Sequence, residues 1–190
     1  MDVVVLNGAR NGDAKVDEVS NVLVTELKEI ANVSVFRLRE IPVADCVGCF
    51  GCWIKTPGQC VIDDAARDIA LKLPNSDLTV YVTPVVFGGY SYELKKILDR
   101  QISAILPFFK KVHGELHHPP RYEKTGKLAA IGVLPGPNPQ SEEIFKTLLY
   151  RNSLNKQATH HSTAIIYATD DHAKVVEKIA QMLSEVEVKV

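Results

Sequence analysis

The sequence lacks any surplus of positive charge: 22 lysines and arginines stand against 23 aspartates and glutamates, for a net charge of −1. Without a basic excess there is nothing to neutralise rows of phosphates, so nucleic acid and anionic membrane are not expected partners. A long apolar run is also missing; nothing approaches the roughly 20 residues that a membrane-spanning helix needs. The opening Met1-Asp2-Val3-Val4-Val5-Leu6 carries no basic leader and no small-residue cleavage site, so a cytoplasmic location is expected. There is no Ser-His-Asp order, no HExxH and no Walker sequence. Serine and threonine are absent before Ser20, and cysteine is absent outside one short stretch holding Cys46, Cys49, Cys52 and Cys60. In a reducing compartment such clustering favours metal or redox chemistry over structural disulfides.

What is present is an alternation of strand and helix signals. With 190 residues, 46% of them hydrophobic, the chain is long enough for one well-buried domain spanning 1–190. Val3 to Leu6 is an unbroken apolar run, the pattern of a strand covered on both faces. Val16, Val19, Leu23, Leu27 and Ile30 recur at helical steps. Val33 to Leu38 reads as a second strand and Leu78 to Val82 as a third. Between them a short helix carries Ala66, Ile69, Ala70 and Leu73, capped by Asp63-Asp64 and stopping at Pro74. Ser91 begins a helix whose stripe runs through Leu94, Ile97, Leu98, Ile102 and Ile105 to Pro107. Strands at Leu128–Leu134 and Thr163–Ala168 are each followed by a helix. This order predicts an α/β three-layer sandwich around a five-stranded parallel sheet, order 2-1-3-4-5, of the flavodoxin-like type. The segment at about 107–127, with His113, His117 and His118, reads as an excursion from it.

In that fold a ligand sits at the topological switch point, outside the first and third strands. The loop after the first strand is Asn7-Gly8-Ala9-Arg10-Asn11-Gly12-Asp13-Ala14. Its small residues free backbone N–H groups for an anion at a helix N-terminus, and Arg10 adds a charged fork. A polar strand-to-helix turn would look much the same. The loop after the third strand is Thr83-Pro84-Val85-Val86-Phe87-Gly88-Gly89-Tyr90-Ser91. An apolar strand end with free amides, stiffened by Pro84, suits a flat ring system; packing under the excursion is the other reading.

The run Thr83 to Arg100 resembles the signature of the NADPH-dependent FMN reductase and iron–sulfur flavoprotein family within the flavodoxin-like superfamily. The resemblance implies FMN as cofactor. Its phosphate would be held by Gly8, Arg10, Asn11 and Gly12, and its ring would lie against Thr83, Pro84, Val85, Val86, Phe87 and Gly88. It also implies NAD(P)H as transient co-substrate and a homo-oligomer, dimer or tetramer, with flavin sites near subunit contacts. The family's first loop usually supplies hydroxyls to the phosphate. Here Gly8 and Ala9 stand where Ser-x is expected and Asp13 replaces a hydroxyl beyond Gly12, and Asp13 and Asp17 bring negative charge.

Cys46-x₂-Cys49-x₂-Cys52-x₇-Cys60 admits three readings: a [4Fe–4S] cluster relaying single electrons, whose compact motif in the iron–sulfur flavoproteins the spacing resembles; metal-free reactive thiols or a disulfide pair, as the resemblance to ordinary flavin reductases implies; or structural zinc. Adjacent histidines, His117-His118 and His160-His161, point to opposite sides of an extended chain, so each pair offers one ligand to a centre. An interface or pocket lining is the other expectation for them. Trp53 and Tyr90 are candidates to cover a flavin edge, or simply to pack. No catalytic side chain is assigned.

Three functions follow. The first is an FMN-dependent oxidoreductase passing electrons from NAD(P)H through bound flavin to a small-molecule or protein acceptor. The second is an iron–sulfur flavoprotein shuttling single electrons between a ferredoxin-like donor and FMN. The third is a flavin-free metal- or thiol-binding sensor on the same fold.

Overall fold

The computed structural model describes residues 1–189. Its main sheet is built from β1 (Asp2–Asn7), β2 (Asn32–Arg37), β3 (Leu78–Pro84), β6 (Lys127–Leu134) and β7 (His161–Tyr167), all parallel, in the order β2-β1-β3-β6-β7. Helices α1 (Ala14–Lys28) and α6 (His172–Glu185) cover one face; α3 (Ala66–Asn75), α4 (Tyr92–Arg100) and α5 (Pro139–Lys156) cover the other. The predicted parallel sandwich is therefore present. The predicted numbering 2-1-3-4-5 needs correction, because two further strands intervene. These are β4 (Lys110–Val112) and β5 (Glu115–His117), an antiparallel hairpin inside the excursion. At three residues each they carry too little pattern to be read from sequence.

Every residue of β3 is buried, as the centre of a parallel sheet demands. Along it Leu78, Val80 and Val82 face the α1/α6 core while Tyr81 faces the other. On α1 the helical spacing buries Val16, Val19, Leu23 and Leu27, each contributing on the order of 2 kcal/mol from apolar burial. Two boundaries differ from the sequence pattern. Helix α3 runs to Asn75 and keeps Pro74 in its last turn, and α4 ends at Arg100, beyond which Gln101–Ala104 tighten into a 3₁₀ turn. The short α2 (Gly51–Ile54) lies within the cysteine segment. No helix among the described residues is long and apolar enough to cross a membrane.

Candidate functional site

The carboxyl ends of β1 and β3 lie side by side, and their loops are fastened to each other. The Gly8 amide donates to the Val82 carbonyl at 2.7 Å. The Ser91 hydroxyl donates to the Gly8 carbonyl at 2.5 Å and accepts from the Leu94 amide at 3.2 Å, so one side chain caps α4 and pins the neighbouring loop. Thr83 Oγ1 in turn accepts from the Ser91 amide at 3.0 Å. Gly8 is required by close approach: a Cβ there would lie 2.9 Å from both Leu94 Cβ and Ser91 Oγ.

Beyond this latch the third-strand loop folds back in a tight turn. Val86 and Gly89 exchange backbone hydrogen bonds at 3.0 and 2.8 Å. Phe87 at φ +50° and Gly88 at φ +79° make both central residues left-handed, the type I′ geometry. The turn lifts Phe87 to 98% exposure beside the half-buried Val85 and Val86. A bulky residue held in the left-handed region and fully solvated is strained and unpacked, which is unusual outside a binding edge. The amides of Phe87 and Gly88 have no hydrogen-bond acceptor among the described residues.

The first loop supplies the opposite wall. The Asn11 and Gly12 amides are likewise free among the described residues, and both residues are exposed. Arg10 is already engaged. The Asp13 carboxylate accepts from the Arg10 amide at 2.8 Å, from Nε at 2.9 Å and from Nη2 at 3.1 Å. That hydrogen bonding holds the Asp13 carboxyl below its ordinary range and raises Arg10. Asp17 is tied to Asn7 Nδ2 at 3.0 Å and Arg39 Nη1 at 2.9 Å, so its charge is spent beneath the loop. The loop thus carries an internal anion on its own arginine.

All ten expected cofactor residues, Gly8, Arg10, Asn11, Gly12 and Thr83 to Gly88, come to one end of the sheet. Thr83 and Pro84 are buried, and Thr83 works as part of the latch rather than on the surface. The free amides, the space-limited Gly8 and the exposed apolar tip fit a phosphate-bearing flat ring; the Arg10–Asp13 pair is the one feature that competes with the phosphate. Trp53 and Tyr90 do not cover this crevice. Trp53 Nε1 donates to the carbonyls of Ile102 and Ile105, and Tyr90 packs against Tyr81 and Phe145 with its hydroxyl on Asn152.

The cysteines form a second locus. Cys46, Cys49, Cys52 and Cys60 are all free thiols around one small pocket, together with Arg100 and Ile102. Burial, and then Cys60 ahead of Cys46 and Cys49, pushes the Cys52 thiol up. Arg100 is 2% exposed. Its Nη atoms bind Asp64 at 2.9 and 2.8 Å and the carbonyls of Ala44 and Ile62. Its Nε has no hydrogen-bond partner, and Cys60 stands next to the guanidinium. Sequence reasoning passed over Arg100 because a charged residue at a helix end reads as solvated. Four sulfurs and one orphaned cationic donor match the donor chemistry of a sulfur-rich cluster. As folded, no group of three or more His, Cys, Asp or Glu side chains among the described residues is drawn close enough together to hold a metal ion. The locus also lies a helix away from the crevice. Ser91 and Arg100 bracket α4, about 13 Å apart along its axis.

The His117-His118 pair divides as its alternation predicts. His117 Nδ1 meets Asn155 at 2.9 Å, whereas His118 Nδ1 meets the Phe108 carbonyl at 2.8 Å, its ring between Trp53 and Phe109.

A doubly wound α/β sheet with an anion-receptive loop and an apolar loop at its switch point defines a flavodoxin-like protein. Residues 1–133 match the family described as NADPH-dependent FMN reductase, and the chain belongs to that family. A segment of 55 residues is 40% identical to an iron-sulfur flavoprotein of Methanocaldococcus jannaschii; it spans 29% of this chain and 28% of that protein. Among solved structures, the azoreductase AzrA superposes with a TM-score of 0.64 at 15% identity, covering 98% of this chain and 97% of that one. The NAD(P)H:quinone oxidoreductase from Methanothermobacter marburgensis gives 0.64 at 12%, covering 96% and 93%. An FMN-dependent NADH-azoreductase from Bacillus anthracis, solved with FMN, gives 0.61 at 12%, covering 94% and 93%. At these identities the likeness shows the shared fold.

Proposed function

We propose that the chain is an FMN-dependent oxidoreductase that takes electrons from NAD(P)H and passes them to a small-molecule or protein acceptor. The observation that carries this reading is the pair of latched loops at the switch point, in a chain of the FMN reductase family. FMN supplies the hydride-accepting and electron-releasing chemistry when bound. The chain's own part is binding and orientation. The Asn11 and Gly12 amides and the Arg10 guanidinium would hold the phosphate, with Gly8 fixing the loop beneath them through its own amide on the Val82 carbonyl. Pro84, Val85, Val86, Phe87 and Gly88 would hold the ring, with Thr83 fixing that loop from below. No side chain in the crevice is needed as an acid or base. The exposed Phe108, Phe109 and Leu116, gathered in the excursion, favour a homo-oligomer, since apolar groups collected on one surface segment suit a subunit contact. The test is anaerobic oxidation of NADPH or NADH by the FMN-loaded chain. Bleaching of the flavin bands in step with nicotinamide oxidation is expected; nicotinamide oxidation no faster than with free FMN contradicts it.

The thiol pocket favours a second reading, the iron–sulfur flavoprotein relaying single electrons. Arg100 Nε would then donate to cluster sulfur, and the four cysteines would be its ligands. Iron and acid-labile sulfide in protein purified without oxygen would support it; their absence leaves the reductase reading alone.

A further inference from the structure

A cavity of about 400 Å³ lies at the end of the sheet opposite the two latched loops. Helices α4 and α5 both start at strand carboxyl ends and run back, so their last turns meet over the beginning of β3. The excursion closes the cavity from outside through His118, Pro120 and Tyr122.

Lys156, on the last turn of α5, is the unusual group in it. Its Nζ donates to Thr79 Oγ1, a neutral oxygen, at 2.6 Å, and it has no ion-pair partner among the described residues. The other charged groups around the cavity are matched: Asp99 pairs with Lys95, and Lys124 pairs with Asp77 at 2.7 Å. His118 is held by the Phe108 carbonyl, and burial pushes the Tyr81 phenol up to about 12. Burial pushes the Lys156 ammonium down to about 7. A second donor, Gln101 Nε2, is buried beside the Tyr81 hydroxyl but outside good hydrogen-bond geometry to it. Thr79 and Tyr81 are alternate residues on one face of β3, so the two donors stand over positions about 7 Å apart. The remaining wall is largely apolar, with Leu73, Leu98, Ile102 and Ile105.

A partly buried ammonium without a counter-ion costs stability, and a buried amide without a well-placed acceptor adds to that cost. Both deficits are of one sign: a cation without an anion and a donor without a well-placed acceptor. One unpaired positive charge in an apolar chamber is complementary to one negative charge on an apolar body. A dianionic phosphate would find only one unpaired cation, in walls that are largely apolar. We propose that this cavity binds a small apolar monocarboxylic acid, its carboxylate held by Lys156 and Gln101 and its hydrocarbon or aromatic body against Leu98 and Ile102. The site is separate from the proposed flavin crevice and does not depend on it.

The test is calorimetric titration of the full chain, just below neutral pH, with benzoate and with its neutral counterpart benzamide; 4-methylpentanoate serves as an aliphatic acid. Saturable binding of at least one acid, with Kd below about 1 mM, is expected, and benzamide binds about tenfold more weakly or less. In Lys156→Met the acid affinity falls about tenfold or more, while the ligand-free Tm is unchanged or higher, because the unmatched charge is gone. Gln101→Leu gives a second weakened variant should the first fail to fold. The acid affinity stays the same with FMN present in saturating amount. The proposal is overturned if neither acid saturates, if benzamide binds as well as benzoate, if the folded variants bind the acids unchanged, or if FMN displaces them.

Discussion

Replacing Asp13 by Asn tests how the first loop treats a phosphate. Asn keeps an acceptor for the Arg10 amide, now 2.8 Å from Asp13 Oδ2, but removes the charge that occupies the guanidinium. Two anions sharing one guanidinium lie about 6 Å apart, where Coulomb repulsion per pair of unit charges is about 0.7 kcal/mol in a water-like dielectric and about 2.8 kcal/mol at an effective value of 20. The Arg10 side chain is 38% exposed, so solvent screening puts the interaction at the low end. For a phosphate of nearly two charges that is about 1.4 kcal/mol, or about tenfold in affinity. Loss of the Arg10–Asp13 pair itself changes folding stability by less than about 1 kcal/mol. The assay is quenching of flavin fluorescence by FMN and by riboflavin, which lacks the phosphate, on wild type and Asp13→Asn. The expected outcome is about tenfold tighter FMN and unchanged riboflavin. An FMN affinity that is unchanged or weaker, or a riboflavin affinity that rises equally, refutes the reasoning.

Three further outcomes are open to direct measurement. Ser91→Ala removes the α4 cap and leaves the Gly8 carbonyl without its hydroxyl donor, so urea denaturation should show a loss of about 2–3 kcal/mol, with weaker FMN binding alongside. Arg100→Met strands the Asp64 carboxylate and the Ala44 and Ile62 carbonyls, and a loss of about 3–5 kcal/mol is expected in the same assay. Asp170 is desolvated, which acts to raise its pKa, but Lys178, the Tyr167 amide and Lys174 outweigh this and lower it to about 2. A carboxyl whose folded pKa is depressed contributes stability above its unfolded pKa and loses it as pH falls through the folded one. Acid titration of stability should therefore show a component lost between about pH 4 and about pH 2 that Asp170→Asn lacks.

The sheet was legible because each strand and helix carried its own period. The unbroken Val3–Leu6 run, the stripe on α1 and the Ser91 start of α4 are local signals, and local signals survive in a one-dimensional reading. The hairpin Lys110–His117 was not, since three-residue strands have no period to detect. The α4 stripe continued through Ile102 and Ile105 although the helix stops at Arg100, because a 3₁₀ turn keeps nearly the same face. In the site, Gly8 and Phe87 could be placed by motif, but the Ser91–Gly8 latch joins residues 83 apart and leaves no pattern. The Arg10–Asp13 pair was written in the loop as charge, not as a bond. Arg100 and Lys156 were hidden for a common reason: both are long cations whose surroundings exist only after α4 and α5 have been laid on the sheet.

The most direct measurement is titration of FMN with the purified chain under anaerobic conditions, followed by fluorescence and by the ³¹P resonance of its phosphate. A saturating one-to-one quench with a shifted phosphate signal is expected if the Asn7–Asp13 and Thr83–Ser91 loops form a flavin crevice. Undiminished fluorescence and an unshifted phosphate in excess protein would contradict it, and would leave the flavin-free thiol or metal binder as the reading for this fold.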